Sequence, residues 1–269
     1  MLLTKARFFL INVFLTLWVS LMAQDFEVAP VLVSFTANPG ETQTRELTIT
    51  NHGNVAQTFN LSLSDYTVNE QGTKQALAAG STDRTLVDWL TVNPSFVELN
   101  PNGSATASLI ITVPRTGYNA RWGMVGVEVT KEQVASQADK QLATGVVIVP
   151  RIVILVKQSP PSNRNFSGKV SELKEVESAN KVFRSFEAVL ENTGDNILDA
   201  KVFLALADLK TAKEKQYTST SLTIYPQQKR RMVLVLPENP PPGEYALAFL
   251  MDYGENSTIE GAQILLNIE

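Results

Sequence analysis

The sequence predicts an all-β protein built from two β-sandwich domains. Three observations lead to this prediction. Apolar and polar side chains alternate over many short segments, turn-forming sequences separate those segments, and few segments repeat with a helical period. Short strands, frequent turns and little helix are typical of sandwiches.

Residues 1–23 have the organisation of a secretory signal peptide. Lys5 and Arg7 give a basic start, an apolar run follows from Phe8 to Met22, and Ala23 is the small residue expected before a cleavage site. The apolar run is short for a helix that must cross a hydrocarbon core of roughly 30 Å. We therefore expect cleavage after Ala23, no membrane span in the mature chain, and a periplasmic, cell-envelope or secreted location.

The alternating segments are interpreted as half-buried antiparallel strands. The clearest of them are Phe59–Leu63, Ala105–Val113 and Val125–Val129. Turn sequences such as Asn38-Pro39-Gly40 and Asn100-Pro101-Asn102-Gly103 separate these strands from their neighbours. A helical period predicts two short helices, over Glu132–Leu142 and over Thr82–Leu90.

A domain boundary is predicted at Ser159-Pro160-Pro161-Ser162-Asn163. Two prolines after an apolar strand stop the hydrogen-bond ladder and stiffen the connection. We place the first domain at residues 24–157, a Pro-rich linker at 158–165 and the second domain at 166–269.

The two halves read as one module used twice. Asn51-His52-Gly53 closes a strand in the first half, and Asn192-Thr193-Gly194 does so in the second. The first copy is longer by about 16 residues, which we assign to a polar loop over Tyr66–Arg84. Tyr245 begins a strand after a Pro-Gly turn, which suits the tyrosine corner of immunoglobulin-like sandwiches. The predicted fold is two immunoglobulin-like β-sandwich domains after a cleaved signal peptide.

Composition excludes several functional classes. The 269-residue chain has no Cys and one His, which excludes thiol nucleophiles, iron–sulfur clusters, and Cys-ligated or multi-His metal sites. A net charge of −4 gives no electrostatic reason to bind nucleic acid. No nucleophile elbow, phosphate loop or metal-binding spacing is present. We expect a protein that is not an enzyme and uses no cofactor, with a carboxylate-based hydrolase as the remaining enzymatic alternative.

The segment Trp89–Pro101, followed by an alternating strand that ends in Val113-Pro114, resembles the N-terminal immunoglobulin-like domain of periplasmic pilus-assembly chaperones. It is also similar to the extracellular module of WxL-interacting, peptidoglycan-domain proteins. The resemblance covers roughly Phe26–Lys157. The second domain resembles the companion domain of both families only generally, through Pro242-Gly243-Glu244-Tyr245 and Asp252-Tyr253-Gly254.

In the pilus chaperones, as the resemblance implies, the last strand of the first domain lends alternating apolar side chains to an incomplete subunit. Two basic residues in the interdomain cleft hold the C-terminal carboxylate of that subunit. The matching strand here is Gly145–Lys157. Arg151 is assigned to the cleft, with Lys157 near the linker, whereas Phe26–Phe35 lacks the second basic residue that the family carries on its first strand. The candidate partner-binding residues are Val147, Val149, Arg151, Val153 and Lys157.

Two interpretations of these residues stay open. Val146–Val156 is either a donor strand or an ordinary central strand buried on both faces, although Pro150 favours an open side or a change of sheet. Arg151 either binds a carboxylate partner or forms a structural salt bridge across the domain interface.

The leading hypothesis is a chaperone-like protein that binds an extended strand of a surface or fimbrial subunit by strand addition. The alternative is a structural or adhesive envelope module whose partner is peptidoglycan or another cell-surface protein.

Overall fold

The computed structural model describes residues 25–130, 149–178, 182–254 and 259–269, and strands are the only regular secondary structure in them. The predicted signal peptide and the helix predicted over Glu132–Leu142 lie outside these residues. Within them, the predicted all-β fold of two immunoglobulin-like sandwiches is confirmed. The exact domain boundaries at 24–157, 158–165 and 166–269 stay predictions.

Ten strands build the first sandwich. They are β1 (Phe26–Ala29), β2 (Leu32–Phe35), β3 (Thr42–Asn51), β4 (Gln57–Val68), β5 (Lys74–Leu77), β6 (Leu90–Asn93), β7 (Phe96–Leu99), β8 (Ser104–Thr112), β9 (Arg121–Thr130) and β10 (Arg151–Gln158). One sheet has the order β1-β3-β8-β6, and the other has the order β2-β10-β9-β4-β5 with β7 beside β4. Alternate residues of the two sheets, including Phe26, Phe35, Phe59 and Leu47, are buried between them.

Eight strands build the second sandwich. They are β11 (Gly168–Val176), β12 (Ser185–Asn192), β13 (Leu198–Asp208), β14 (Glu214–Gln216), β15 (Thr220–Ile224), β16 (Lys229–Val235), β17 (Gly243–Asp252) and β18 (Glu260–Ile268). The sheets have the orders β11-β12-β16 and β14-β13-β17-β18, with β15 beside β13. Phe186, Leu247 and Phe249 are buried in the separate core between these sheets.

Matching polar anchors support the interpretation of one module used twice. Asn51 and Asn192 are fully buried, although both are polar. The side-chain oxygen of each accepts a hydrogen bond from the glycine two residues later, Gly53 at 2.9 Å and Gly194 at 3.0 Å. The predicted tyrosine corner is also confirmed, because the Tyr245 hydroxyl donates to the Pro241 carbonyl at 3.0 Å.

The helix predicted over Thr82–Leu90 is wrong. The segment consists of bends, turns and one isolated bridge, and its last residue, Leu90, begins β6. The buried carboxylate of Asp65 accepts hydrogen bonds from it. These bonds come from the Thr82 backbone N–H at 3.0 Å and from the Thr85 hydroxyl at 2.6 Å. These hydrogen bonds tie the segment to β4, the strand that carries Asp65.

The polar loop predicted over Tyr66–Arg84 is also wrong over its first half. The strand β4 continues to Val68, and β5 returns beside it as a hairpin. The second module has an equivalent hairpin of β13 and β14, so the extra residues of the first module lie between β5 and β7. Tyr66 and Val68 are buried in a cluster between the two domains. Their spacing of two fits a strand, and the second domain supplies the surface that covers them.

The N-terminal segment of the first domain passes from one sheet to the other. The strand β1 pairs antiparallel with β3, and two residues later β2 pairs in parallel with β10. Pro30 lies between the two strands and has no N–H to donate to either ladder. This change of sheet places β2 beside only the C-terminal half of β10.

Candidate partner-binding site

The strand β10 is paired along all of one side and along half of the other. All eight residues pair with β9, whereas only Leu155–Gln158 pair with β2. The Leu155 N–H donates to the Val31 carbonyl at 3.0 Å, and backbone groups of alternate residues in a strand point to the same side. The N–H and C=O groups of Arg151 and Val153 therefore face the side on which no described strand pairs with Arg151–Ile154.

Apolar side chains lie beside this unpaired edge. Val153 is 38% exposed, and Leu32, which is opposite Leu155 in the register, is 48% exposed. Because alternate side chains of a strand point to the same face, Val153 and Leu155 lie on the outer face of the sheet, while Ile154 and Val156 are buried in the core. We call Leu32, Val153 and Leu155 the outer strip.

The structure places four of the five candidate partner-binding residues on β10 or just before it. Arg151, Val153 and Lys157 have the spacing that places them on one face of β10, and Val149, which is 44% exposed, precedes the strand. Val147 lies outside the described residues. The predicted apolar strand begins at Arg151 rather than at Val146, directly after Pro150.

The assignment of Arg151 to the interdomain cleft is wrong. Arg151 begins β10, and Lys157 lies six residues further along, so the two α-carbons are about 20 Å apart at roughly 3.3 Å per residue. The Arg151 guanidinium crosses Gly126, where a Cβ atom would lie 2.2 Å from its Nε, and it donates to the Ser62 hydroxyl at 3.4 Å. Its predicted part in partner binding stays a prediction.

A cavity of about 350 Å³ opens between the domains at the other end of β10. Lys157 and Leu155 of β10 line it, together with Lys74 of β5 and Arg230 of β16. Its charged lining residues are three cations and no carboxylate. The outer strip therefore ends at a cleft that favours an anion.

The cations of the cleft differ in how they are paired. The Lys157 ammonium forms a salt bridge of 2.6 Å with Asp199, which crosses the domain interface. The Arg230 guanidinium donates to the Thr223 carbonyl at 3.5 Å, which is a weak hydrogen bond, and its buried Nε has no partner among the described residues. Arg230 therefore lines the cavity with only one weak hydrogen bond from its guanidinium to the described residues.

Aromatic packing joins the two domains behind the cleft. The ring of Tyr225 lies 5.6 Å from that of Tyr66 and 4.8 Å from that of Trp122. The hydroxyls of Tyr66 and Tyr225 hydrogen-bond to each other, and the indole N–H of Trp122 donates to the Tyr66 carbonyl at 3.0 Å. Burial raises the pKa of both tyrosine hydroxyls, so both stay neutral.

An ion pair fixes the same interface at its rim. The Arg84 guanidinium lies 3.1 Å from a carboxylate oxygen of Asp195, and the Asn165 amide donates to the other oxygen at 2.8 Å. These hydrogen bonds, from Asn165 first and from Arg84 next, lower the pKa of the Asp195 carboxyl. The interface therefore combines a buried aromatic cluster with charged pairs at its edge.

Sequence reasoning missed two of the three cations of the cleft. Lys74 was assigned to a loop, and Arg230 lies in the second domain. A signal for Lys74 was available in the alternation of Tyr66 and Val68, which predicts a strand that turns back. Arg230 gave no signal, because only the packing of the two domains brings it to β10.

The described residues contain no group of carboxylates and histidine placed to hold a metal ion. They also contain no helix with the length and apolar character needed to cross a bilayer.

No family model matches the chain, and neither does any curated protein. Among solved structures, a chain of the chaperone–tip adhesin complex of CFA/I fimbriae biogenesis is similar, with a TM-score of 0.50 at 14% identity. The alignment covers 90% of this chain and 98% of that one.

Two further structures align over similar lengths. The class 5 fimbriae chaperone CfaA gives a TM-score of 0.46 at 15% identity, over 89% of this chain and 98% of the other. The Salmonella enterica SafA pilin in complex with the SafB chaperone gives a TM-score of 0.43 at 13% identity, over 90% of this chain and 97% of the other. The predicted likeness to pilus-assembly chaperones is thus confirmed at the level of the fold, which the first of these structures shows.

Proposed function

We propose that this two-sandwich protein is a periplasmic, non-enzymatic chaperone-like protein that binds an extended β-strand of a surface or fimbrial subunit by strand addition. The observation that carries the proposal is the half-paired strand β10. Its Arg151–Ile154 half has one unpaired side in the described structure, and the outer strip follows it toward the cleft.

Strand addition uses both features of this surface. The backbone groups of Arg151 and Val153 on the unpaired side supply hydrogen bonds to an incoming strand, and they supply affinity without regard to its sequence. The outer strip supplies apolar contacts to alternate side chains of that strand, and these contacts supply specificity.

The cleft gives the incoming strand an end point. A C-terminal carboxylate that reaches the cavity would meet Lys157 and Arg230, and guanidinium–carboxylate hydrogen bonds are among the strongest in proteins. In this proposal, Lys157 takes the cleft position that the sequence assigned to Arg151. Arg230 takes the place of the basic residue that the first strand lacks.

Co-purification of the tagged protein from the envelope of its own host tests this proposal. We expect capture of a secreted subunit whose own sandwich lacks a strand. Val153→Asp should reduce that capture at least tenfold, because a charge would enter an apolar contact between strands. Leu265→Asp is the matched control, since Leu265 is 75% exposed on β18, which is the edge strand of the second domain.

Equal capture by the wild type and both variants would reject strand addition at β10. Binding of all three proteins to isolated peptidoglycan, with no subunit captured, would instead support the envelope-module alternative. No feature of the described residues favours peptidoglycan at present.

A further inference from the structure

The hairpin between β4 and β5 extends from the first domain to the second domain beside the cleft. Its turn is ordered by Asn69, whose side chain accepts from the Thr73 N–H at 2.9 Å and whose carbonyl accepts from the Gly72 N–H at 2.9 Å. From these contacts we propose that the hairpin positions Arg230 at the cleft, with Gly72 as the positioning residue. The proposed function gives this role its purpose, so the inference rests on that function.

Gly72 lies directly against the guanidinium of Arg230. A Cβ atom built on Gly72 would be 2.1 Å from Nη2 and 2.6 Å from Cζ of Arg230, which is closer than any side chain permits. The backbone of the hairpin therefore forms one wall of the space that the guanidinium occupies. Any other residue at position 72 would force the guanidinium away from this wall.

The neighbouring residue of β16 holds the hairpin in place. The Arg231 N–H donates to the Glu70 carbonyl at 2.8 Å, and the Arg231 Nε lies 3.6 Å from the Glu70 carboxylate. Arg231 is itself held by Glu187, whose carboxylate lies 3.0 Å from its Nη1. The hairpin is thus joined by its main chain to the strand that carries Arg230, and Gly72 keeps a fixed position relative to that side chain.

The hairpin of β4 and β5 has an equivalent in the second module, formed by β13 and β14. The β4–β5 hairpin contributes Lys74 to the cleft, it contacts Arg230 through Gly72, and the first strand of its own domain carries no cation. These observations have one explanation if the hairpin places a second-domain arginine in the binding site. Arg230 then contributes to anion binding only while both domains hold their present orientation.

Gly72→Ala tests the positioning role, and Gly80→Ala is its matched control. Both glycines have positive φ, 89° and 72°, so both variants carry the same kind of backbone strain. A Cβ at Gly80 meets no atom within 4 Å, so only Gly72→Ala displaces the arginine. The end of the Arg230 side chain can move without unfolding the protein.

Two readouts separate this inference from the proposed function. The first is the NMR signal of the Arg230 Nε–H group, which needs no ligand. We expect Gly72→Ala to shift that signal and Gly80→Ala to leave it unchanged. An unshifted signal in Gly72→Ala would overturn the positioning role, whatever the protein binds.

The second readout is the affinity for a ten-residue peptide of alternating valine and threonine, prepared with a free C-terminal carboxylate and with a C-terminal amide. We expect the wild type and Gly80→Ala to prefer the carboxylate by about tenfold, and Gly72→Ala to lose most of this preference. In an Arg230→Ala background, Gly72→Ala should have no further effect. A further loss there would overturn the inference, because Gly72 would then act through another residue.

If the wild type binds neither peptide while Gly72→Ala still shifts the Arg230 signal, the proposed function fails and the positioning of Arg230 stands. If the carboxylate preference is the same in Gly72→Ala and Gly80→Ala, the proposed function stands and the positioning role fails.

Discussion

The last strands of the two domains, β10 and β18, both form incomplete edges, but they present different surfaces. The strand β18 pairs with β17 over nine positions and has no second neighbouring strand among the described residues, so its unpaired edge is longer than that of β10. Its exposed side chains are mixed, with Leu265 between Gln263 and Asn267. An open edge therefore does not by itself define a binding site. In β10 the edge coincides with the outer strip and ends at a cationic cleft.

The aromatic residues at the start of β9 and β17 show the same contrast. In the second domain, the Tyr245 hydroxyl bonds to a carbonyl of its own turn, so the residue stabilises only its own sandwich. In the first domain, Trp122 bonds to the Tyr66 carbonyl and packs against Tyr225 of the other domain. One position of the module thus serves internal packing in one copy and contact between domains in the other.

The largest expected effect tests whether the two copies are equivalent. Asn51→Ala and Asn192→Ala should each lower the free energy of unfolding by about 2–4 kcal/mol, because each leaves buried carbonyls without a donor. Asn51 Nδ2 lies within 3.2 Å of three carbonyl oxygens, and Asn192 Nδ2 lies within 2.8 Å of two. Urea unfolding measures the change. The exposed Asn54→Ala is the control, with an expected change below about 0.5 kcal/mol.

A loss in only one of the two asparagine variants would show that the copies share a sequence pattern without sharing a structural anchor.

A smaller effect is expected at the hydroxyl pair between the domains. Tyr66→Phe or Tyr225→Phe alone should cost about 1–2 kcal/mol, because the remaining buried hydroxyl loses its partner. The double variant should cost less than the sum of the two, since no unpaired hydroxyl remains. Chemical denaturation of all four proteins gives the coupling energy. Additive losses would mean that the hydroxyls act independently of each other.

The smallest effect concerns pH at the rim of the domain interface. The folded-state pKa of Asp195 is lowered below its ordinary value of 3.8, so its contribution to stability is present above that value. The contribution is lost as the pH falls through the lowered pKa, because the Asp195 carboxyl binds a proton more tightly in the unfolded state than in the folded state. Thermal unfolding between pH 6 and pH 2.5 should show a smaller acid-induced loss in Asp195→Asn than in the wild type. Identical profiles would contradict this assignment.

The sandwich strands could be predicted because their signal is local. The predicted strand Ala105–Val113 differs from β8 by one residue at each end, since one face of the strand is buried and the other is solvated. The helix prediction for Thr82–Leu90 failed because this segment contacts a residue that is distant in the sequence. Asp65, seventeen residues before Thr82, accepts a hydrogen bond from the Thr82 N–H and so links the segment to β4.

The residues of the candidate site also divide into those with a local sequence signal and those without one. Val153 and Lys157 could be named as candidates because they belong to one apolar strand and its end. Arg230 was not found, because its part in the cleft depends on the packing of one domain against the other. The cavity lies at the C-terminal end of β10, so Lys157 lines it and Arg151, at the beginning of the strand, does not.

The side chain of Gln158 fixes the position of β10 and thereby the register in which a segment could bind to it. Gln158 is fully buried and its amide bonds to both the N–H and the C=O of Ala37, so the C-terminal end of β10 cannot slide along β2. The position of β10 relative to the cleft is therefore fixed. A bound segment can pair with β10 only over Arg151–Ile154, because β2 occupies the same side from Leu155 onward. A segment would be selected by counting back from its last residue, so that lengthening it by one residue would turn its apolar side chains to the wrong face.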